Sequence, residues 1–218
     1  MSKRLTALSL VLILSSLLIA CTGEQASVSY ETGDLIYENA FDDPTSWESF
    51  GYVQTQFGVV DGKYAAVSAG GGYIPVTNGE THSNAVLEAT VTQVSSSENT
   101  AFGIICRSQP SNPIIGYYFL IASDGSYGIR IGESNRVRVL VPWTQHNAIN
   151  TGQDSTNTIR AVCIDDYFAM YINGQFVAEE RHNWLEQGVM SLVVSSPDSV
   201  QVAAEFDDVT IYEATLNE

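Results

Sequence analysis

Apolar and polar residues alternate with a period of two along most of this chain, and no helical period extends beyond a turn or two. The clearest alternating run is Ala85 to Val94, which places Leu87, Ala89 and Val91 on one face. Longer apolar runs suit strands that are covered on both faces, and they occur at residues 101–106, 115–122, 189–194 and 200–206. The pattern predicts an all-β domain of about a dozen short strands.

Turn sequences separate the predicted strands. An Asn-Gly pair at 173–174 predicts a tight hairpin between two strand-like runs, and an Asp-Gly pair at 124–125 predicts another turn. Turns roughly every 8 to 12 residues fit one large sandwich or barrel, and about 180 residues can bury its core as a single domain. The one predicted helical turn covers residues 182–187.

The chain begins with the layout of a secretory signal. Lys3 and Arg4 precede an apolar stretch over residues 5–20, which is short for a spanning helix of about 20 apolar residues. The stretch ends at Leu-Ile-Ala-Cys, residues 18–21, which resembles the bacterial lipobox, whose cysteine is diacylated and becomes the first mature residue. We expect cleavage after residue 20 and a lipid on Cys21. An uncleaved anchor helix and an ordinary secreted protein are the alternatives.

Residues 22–33 are polar and rich in Ser, Thr, Glu and Gly, which is typical of a flexible tether. The chain is thus predicted to comprise a signal peptide at 1–20, the lipidated Cys21 with its tether at 21–33, and one folded domain at 34–218. Two acyl chains anchor a protein stably, so the domain is expected on the extracytoplasmic side of a bacterial envelope. Thr22 is not the aspartate associated with inner-membrane retention, which favours an outer membrane where one exists.

Acidic residues outnumber basic ones, with 25 Asp and Glu against 9 Lys and Arg and a formal charge of −16. Such a surface repels nucleic acid and anionic lipid headgroups. Nucleic acid is therefore excluded as a partner, and the lipid is expected to supply membrane attachment without help from a basic patch. Composition leaves the oligomeric state open.

Cys106 and Cys163 remain as an even pair once Cys21 carries lipid, in a compartment where disulfides persist. Both lie in strand-like runs whose alternate residues are apolar, so both thiols are predicted to face a core. A buried disulfide and two separate buried thiols are both compatible with this placement. Neither arrangement is catalytic, because no histidine is near in sequence and apolar burial raises a thiol pKa.

Several short motifs follow one another across nearly the whole predicted domain. They are Phe41-Asp42-Asp43-Pro44 with Trp47, Gly116-Tyr117-Tyr118-Phe119 followed by Asp124-Gly125, Asn157-Thr158-Ile159-Arg160-Ala161, Tyr171-Ile172-Asn173-Gly174-Gln175-Phe176-Val177, and Phe206-Asp207-Asp208-Val209. In this order they resemble the concanavalin A-like, laminin-G-like sandwiches. The resemblance implies a jelly roll of two antiparallel sheets, one of them concave and often used for glycans. Other members bind proteins or serve as plain modules, so the fold alone does not give a function.

Glycosidases also occur on this fold, and the laminarinase-like ones carry E-x-D-x-x-E on one strand. Here Glu205 and Asp207 resemble the first two acidic residues, but the third position is Thr210. Because glycoside hydrolysis needs two carboxyl groups across the sugar bond, no catalytic residue is predicted. A glycoside-processing hydrolase remains the least favoured alternative.

Related jelly-roll modules often have acidic residues near both chain ends, where one structural calcium ion ties the first and last strands. Glu38, Asp42 and Asp208 resemble such a set, and calcium prefers several oxygen ligands. The alternative is that Asp208 and its neighbour occupy a bulge or edge of the last strand. Zinc is not expected, because the three histidines are scattered.

A sugar site needs flat aromatic faces and planar polar groups. The candidate ligand-binding residues are Arg107, Tyr117, Tyr127, Arg130 and Trp143. Adjacent tyrosines on one strand point to opposite faces, so only one of the pair at 117–118 can line a concave surface. The alternative for each aromatic residue is a place in the sandwich core.

The leading hypothesis from the sequence is a lipid-anchored, non-catalytic module that binds glycans at the cell surface. Its main alternative is a structural or adhesion protein that binds a cell-surface protein and has no sugar site. No cofactor is required by either hypothesis, apart from the calcium ion considered above.

Overall fold

The computed structural model describes residues 24–217, which form strands joined by turns and loops and contain no helix. Within this range there is consequently no helical segment with the length and apolarity needed to cross a bilayer. The predicted signal peptide and the predicted lipidation site Cys21 lie outside the described residues. The strands are β1 Tyr30–Asn39, β2 Phe50–Tyr52, β3 Thr55–Val60, β4 Lys63–Ser68, β5 Gly72–His82, β6 Ala85–Gln93, β7 Ala101–Ser108, β8 Gly116–Ala122, β9 Ser126–Glu133, β10 Arg136–Gln145, β11 Thr156–Ile164, β12 Tyr167–Ile172, β13 Gln175–Arg181, β14 Gly188–Ser196 and β15 Val202–Leu216.

These strands make two antiparallel sheets. The larger has nine strands in the order β13-β12-β11-β6-β15-β4-β3-β2, with β1 paired to β15, and the smaller has six in the order β10-β9-β8-β7-β14-β5. Strands that follow each other in sequence, such as β6 and β7, lie in different sheets, so the chain crosses repeatedly between the layers. This arrangement confirms the predicted all-β, two-sheet jelly-roll sandwich.

The alternation within each strand selects the residues of the core between the sheets. Phe102, Ile104 and Cys106 of β7 all enter this core and are almost completely buried. Cys106 forms a disulfide with Cys163 of β11, and the two Cα atoms lie 6.8 Å apart. The bond therefore links the six-stranded sheet to the nine-stranded sheet through the middle of the molecule.

Both sheets also bury apolar side chains on the face that points away from the core. On the six-stranded sheet this outer cluster consists of Ile105, Tyr118, Leu120 and Val193. A second outer cluster covers part of the nine-stranded sheet and consists of Val86, Val162, Ile164, Tyr167, Ala169 and Ala214. This double burial explains why β7, β8 and β14 have continuous apolar runs in the sequence.

The folded domain begins earlier than the sequence indicated. Residues 30–33 were expected in the tether, but they belong to β1, and Tyr30 pairs with Leu216 of β15. Val28 and Tyr30 also pack against the outer cluster of the nine-stranded sheet. The segment is polar in composition because most of β1 is exposed, so pairing with β15 determines its structure more than burial does.

Two local predictions had opposite outcomes. The hairpin at 173–174 is confirmed, and both residues have positive φ angles of 50° and 77°, as a tight hairpin turn requires. The helical turn predicted at 182–187 is wrong, because this segment is irregular. Its backbone is held instead by side chains: Trp184 and Leu185 donate N–H groups to the Tyr117 hydroxyl, and Arg107 donates to the Leu185 carbonyl.

Candidate functional site

The outer face of the six-stranded sheet is covered in its centre by the protein's own side chains. Tyr118 of β8 is fully buried and donates a hydrogen bond to the Ile114 carbonyl in the loop before its strand. Tyr73 of the edge strand β5 packs edge-on against it, with ring centroids 5.3 Å apart. Tyr73 also interacts with Arg130 of β9. Because β14, β7 and β8 lie between those strands, this contact requires the sheet to curve toward the outer face.

Arg130 is the charged group beneath this face, and only 3% of it is exposed. Its guanidinium donates hydrogen bonds to the carbonyls of Ile129 and Val141. Burial lowers the pKa of Arg130, while the nearby Tyr73 hydroxyl acts in the opposite direction. The guanidinium also lies 4.6 Å from the ring centroid of Trp143 on the other edge strand, β10. This cation–π contact fixes the indole ring by one of its faces.

A cleft of about 370 Å³ remains open at one end of this face. Its floor is made of small residues that pair across neighbouring strands: Ala101 pairs with Ala122 on one side and with Ser195 on the other. Tyr73 and Trp143 stand at its two margins, on the two edge strands of the sheet. The residues that line it are Tyr73, Asn99, Thr100, Ala101, Ala122, Asp124, Ser126, Trp143, Ser195, Ser196 and Pro197.

The cleft combines one accessible aromatic ring with small hydrogen-bonding groups. Trp143 is 42% exposed although one ring face contacts Arg130. Asp124 is the single carboxylate among the lining residues, and its Oδ1 accepts hydrogen bonds from the N–H and hydroxyl of Ser126. Such a surface can stack an apolar ring face on the indole and bond hydroxyls through Asn, Ser and Asp side chains.

Three of the five predicted ligand-binding residues, Arg107, Tyr117 and Tyr127, do not lie on this face. Tyr117 and Tyr127 point into the core between the sheets. The Tyr117 ring packs on Phe168 with centroids 4.1 Å apart, and the Tyr127 hydroxyl donates to the Val177 carbonyl. Only Arg130 and Trp143 of the five belong to the outer face, and only Trp143 lines the cleft.

Arg107 does not belong to the cleft either. Its side chain is fully buried at the opposite end of the sandwich, and its positive φ of 54° marks the point where β7 bulges. The guanidinium donates to the carbonyls of Ser83, Asp165 and Leu185 at 3.1, 2.8 and 2.6 Å. Arg107 thus fixes three separate turns and has a structural role.

The sequence interpretation missed Tyr73 and Tyr118. The alternation at 117–118 indicated that the two tyrosines face opposite sides, but both sides of β8 are apolar and buried. Nothing local to the strand distinguishes the core face from the outer face. Tyr73 follows three consecutive glycines at 70–72, a turn signal that could have placed it at the start of an edge strand.

The incomplete hydrolase motif lies in the wrong sheet for this cleft. Glu205 and Asp207 flank the buried Phe206 on β15, so they project from the outer face of the nine-stranded sheet. Glu205 forms an exposed ion pair with Lys63 at 3.5 Å. The carboxylates that resemble a catalytic pair are therefore separated from the cleft by the core.

The predicted calcium ligands share one surface cavity of about 530 Å³ where β1 meets β15. Glu38, Asp42 and Asp208 all line it, and Asp208 has a positive φ of 48° at a bulge in β15. Within residues 24–217, however, no three acidic, histidine or cysteine side chains lie close enough together to hold a metal ion. The calcium ion therefore stays a prediction, and what the backbone shows at Asp208 is the bulge in β15.

Because His82, at the end of β5, is buried, we expect the free energy of unfolding to depend on pH. It is 4% exposed, and burial lowers its pKa to about 4, with the positive charge of Arg107 acting in the same direction. Between pH 4 and 6.5 the unfolded chain binds the additional proton, so the contribution of neutral His82 is complete above pH 6.5 and is lost as pH falls through this range. Relative to His82→Leu, the wild type should lose up to about 3 kcal/mol of unfolding free energy between pH 7 and pH 4.

Urea unfolding of both proteins at several pH values measures this difference. The control is His146→Gln, which changes a histidine in the loop after β10 and should keep the wild-type pH dependence. Parallel curves for the wild type and His82→Leu would contradict the prediction.

The comparisons with known proteins agree on the fold only. No protein-family model and no curated protein matches the chain. Among solved structures, the chain is similar to the carbohydrate-binding module CBM66 from Bacillus subtilis, with 15% identity, a TM-score of 0.55 and coverage of 83% of this chain and 98% of that one. It is similar to a Bacillus subtilis protein of unknown function with a galectin-like fold, at 12% identity and a TM-score of 0.60 over 86% and 99% of the two chains.

A third similar structure is LamA from Z. galactanivorans in complex with laminaritriose and laminaritetraose. The identity is 11%, the TM-score is 0.59, and the match covers 84% of this chain and 100% of that one. Identities this low establish a common architecture and no shared activity.

Proposed function

Since the chain has the concanavalin A-like jelly-roll fold, we propose that it is a non-catalytic glycan-binding module held at the bacterial cell surface by a lipid on Cys21. The observation that carries the proposal is the aromatic cleft at the end of the six-stranded sheet. An exposed indole whose opposite face is fixed by a buried guanidinium is a rigid platform for a sugar ring. The carbohydrate-binding fold of CBM66 supports the same assignment.

A non-catalytic role follows from the carboxylates. Hydrolysis of a glycosidic bond requires two carboxyl groups roughly 5 to 9.5 Å apart, and Asp124 is the single one among the residues lining the cleft. Its Oδ1 atom is already engaged by two hydrogen bonds from Ser126.

Anchoring at Cys21 is proposed from the lipobox-like sequence alone. A lipid at this position would keep the domain on the extracytoplasmic surface of the envelope, in contact with cell-surface glycans. Labelling cells with an alkyne fatty acid tests the assignment, because Cys21→Ser should abolish incorporation while a variant of another cysteine, Cys163→Ala, should retain it.

Replacing Trp143 tests the binding site directly. Tryptophan is enriched among binding hot spots, whose truncation costs at least about 2 kcal/mol, so Trp143→Ala should weaken glycan binding by roughly 30-fold or more. Trp184→Ala is a matched control, because Trp184 has a similar exposure of 47% against 42% but lies outside the cleft, in the loop held by Tyr117. Binding is measured by glycan array and then by calorimetry with the oligosaccharides that the array selects.

Equal losses for the two tryptophan variants would contradict the assignment of the cleft. If the wild type bound none of a broad set of polysaccharides and oligosaccharides, the glycan-binding function itself would be overturned. A domain that instead captures a protein partner without competition from free sugars would be an adhesion module.

A further inference from the structure

The segment between the lipid-bearing cysteine and β1 is attached to the domain. The Ser27 amide donates to a Glu179 carboxylate oxygen at 2.9 Å, and the Asn217 amide donates to the Ser29 carbonyl at 3.0 Å. Val28 packs on the outer cluster of the nine-stranded sheet. Residues 24–29 therefore already lie against the domain, ahead of the start of β1.

Glu24 lies at the loop end of the sandwich that also carries the cleft. Together with His146 and Gly174 it lines a cavity of about 840 Å³. His146 in turn donates its amide to the Gly125 carbonyl at 3.1 Å, and Gly125 stands between two lining residues of the cleft, Asp124 and Ser126. Glu24 and the opening of the cleft therefore lie at the same end of the molecule.

The same end exposes apolar side chains of another turn. Tyr52, the last residue of β2, and Val53, which follows it, are 61% and 86% exposed. Backbone hydrogen bonds connect this turn through Ala69 to Ser199, in the loop that contributes Pro197 to the cleft. Aromatic and apolar groups are favourable at a membrane interface, so this end can lie close to lipid.

Chain length then restricts the distance to the membrane. Glu24 lies three positions after Cys21, and an extended chain covers at most about 3.5 Å per position, or roughly 10 Å in all. We infer that a lipid on Cys21 holds the cleft end of the sandwich against the membrane, so that the cleft binds the neutral sugar headgroup of a glycolipid in the same bilayer. This inference rests on the proposed function and on the proposed lipidation.

The charge of the cleft selects a neutral headgroup. Asp124 contributes a negative charge, and no lysine or arginine is among the described residues that line the cleft. The nearest cation, Arg130, is buried and donates to backbone carbonyls. A phosphate or carboxylate on the ligand would therefore meet repulsion without a compensating ion pair.

Two tryptophans at opposite ends make the orientation measurable. The mature protein, which starts at Cys21, is coupled through the Cys21 thiol to a maleimide phospholipid. This phospholipid is part of phosphatidylcholine vesicles that also contain dansyl-phosphatidylethanolamine. Trp184→Phe leaves Trp143 as the exposed donor, Trp143→Phe leaves Trp184, and Trp47 is common to both. Energy transfer to the dansyl headgroups should be clearly stronger in Trp184→Phe. Equal or reversed transfer would overturn the proposed orientation.

Vesicle cross-linking tests the direction in which the cleft faces. Protein-bearing vesicles are mixed with vesicles that carry neoglycolipids of laminaritriose and lactose, and turbidity is followed. We expect no aggregation, because the cleft faces its own bilayer, whereas aggregation would overturn the inference. Inserting about 30 Gly and Ser residues after Thr22, which span roughly 30 Å, should release the domain and restore aggregation.

Calorimetry with the same two sugars free in solution separates the two proposals. Binding of free sugar with reversed energy transfer overturns only the membrane-facing orientation. Absence of binding to any free sugar overturns the glycan-binding function, while the energy-transfer result still reports the orientation of the domain.

Discussion

Replacing both Cys106 and Cys163 with alanine is expected to lower the free energy of unfolding by about 4 kcal/mol. The bond closes a loop of 57 residues, and a cross-link over that length restricts the unfolded chain by about this amount in the chain-entropy description. Because it connects β7 to β11 across the core, its loss also removes the one disulfide between the two sheets in the described part of the chain. Urea unfolding, followed by tryptophan fluorescence, measures the change.

The wild type under reducing conditions is the control for the two new alanines. Reduction removes the cross-link but keeps both sulfur atoms in the core, so it should account for most of the loss in the double variant. A wild type whose unfolding midpoint does not respond to reductant, and which yields no disulfide-linked peptide in mass spectrometry, would contradict the prediction.

Arg107→Ala is expected to destabilise the domain by roughly 3 kcal/mol or more. The substitution removes the charged donor to three turn carbonyls, those of Ser83, Asp165 and Leu185, and a hydrogen bond from a charged group contributes about 1.5–3 kcal/mol. The substitution also removes the cost of burying the charged guanidinium, which offsets part of this loss of stability. The effect should appear in equilibrium unfolding and as faster hydrogen exchange of the amides at 182–187.

Arg107→Lys separates the contribution of the planar guanidinium geometry from that of the positive charge. Lysine keeps a positive charge but cannot reach several carbonyls at fixed angles at once, so an intermediate loss of stability is expected. Arg136→Ala serves as the surface control, because its ion pair with Glu133 lies at the surface, where solvent screens the attraction. Equal unfolding free energies for Arg107→Ala and Arg136→Ala would show that the buried guanidinium does not support the three turns.

The fold could be predicted from local patterns because period-two alternation and turn residues are properties of short segments. The hairpin at 173–174 needs only the permissive backbone of Asn and Gly, and the core orientation of Cys106 follows from the apolar residues two and four positions before it. Neither feature depends on a distant part of the chain, so a short stretch of sequence is sufficient to predict each of them.

The residues of the cleft could not be predicted from the alternation of apolar and polar residues. Alternation indicates that Tyr117 and Tyr118 lie on opposite faces of β8, but it does not indicate which face meets the other sheet when both are apolar. Likewise, Arg107 and Arg130 are both arginines within strands, yet one ties turns together at one end and the other supports Trp143. Their partners are far away in sequence, and only the packed structure brings them together.

The all-β class, the positions of most strands and the pairs of residues that share a face follow from the sequence alone, because they depend on the geometry of a single strand. It is the packed domain that makes Tyr73 and Trp143 border one cleft, and that opens this cleft at the end of the sandwich where Glu24 lies. The jelly-roll strand order is the cause, since it places β5 and β10 at opposite edges of one curved sheet. Curvature and strand order arise from the packing of the whole domain, and no local segment encodes them.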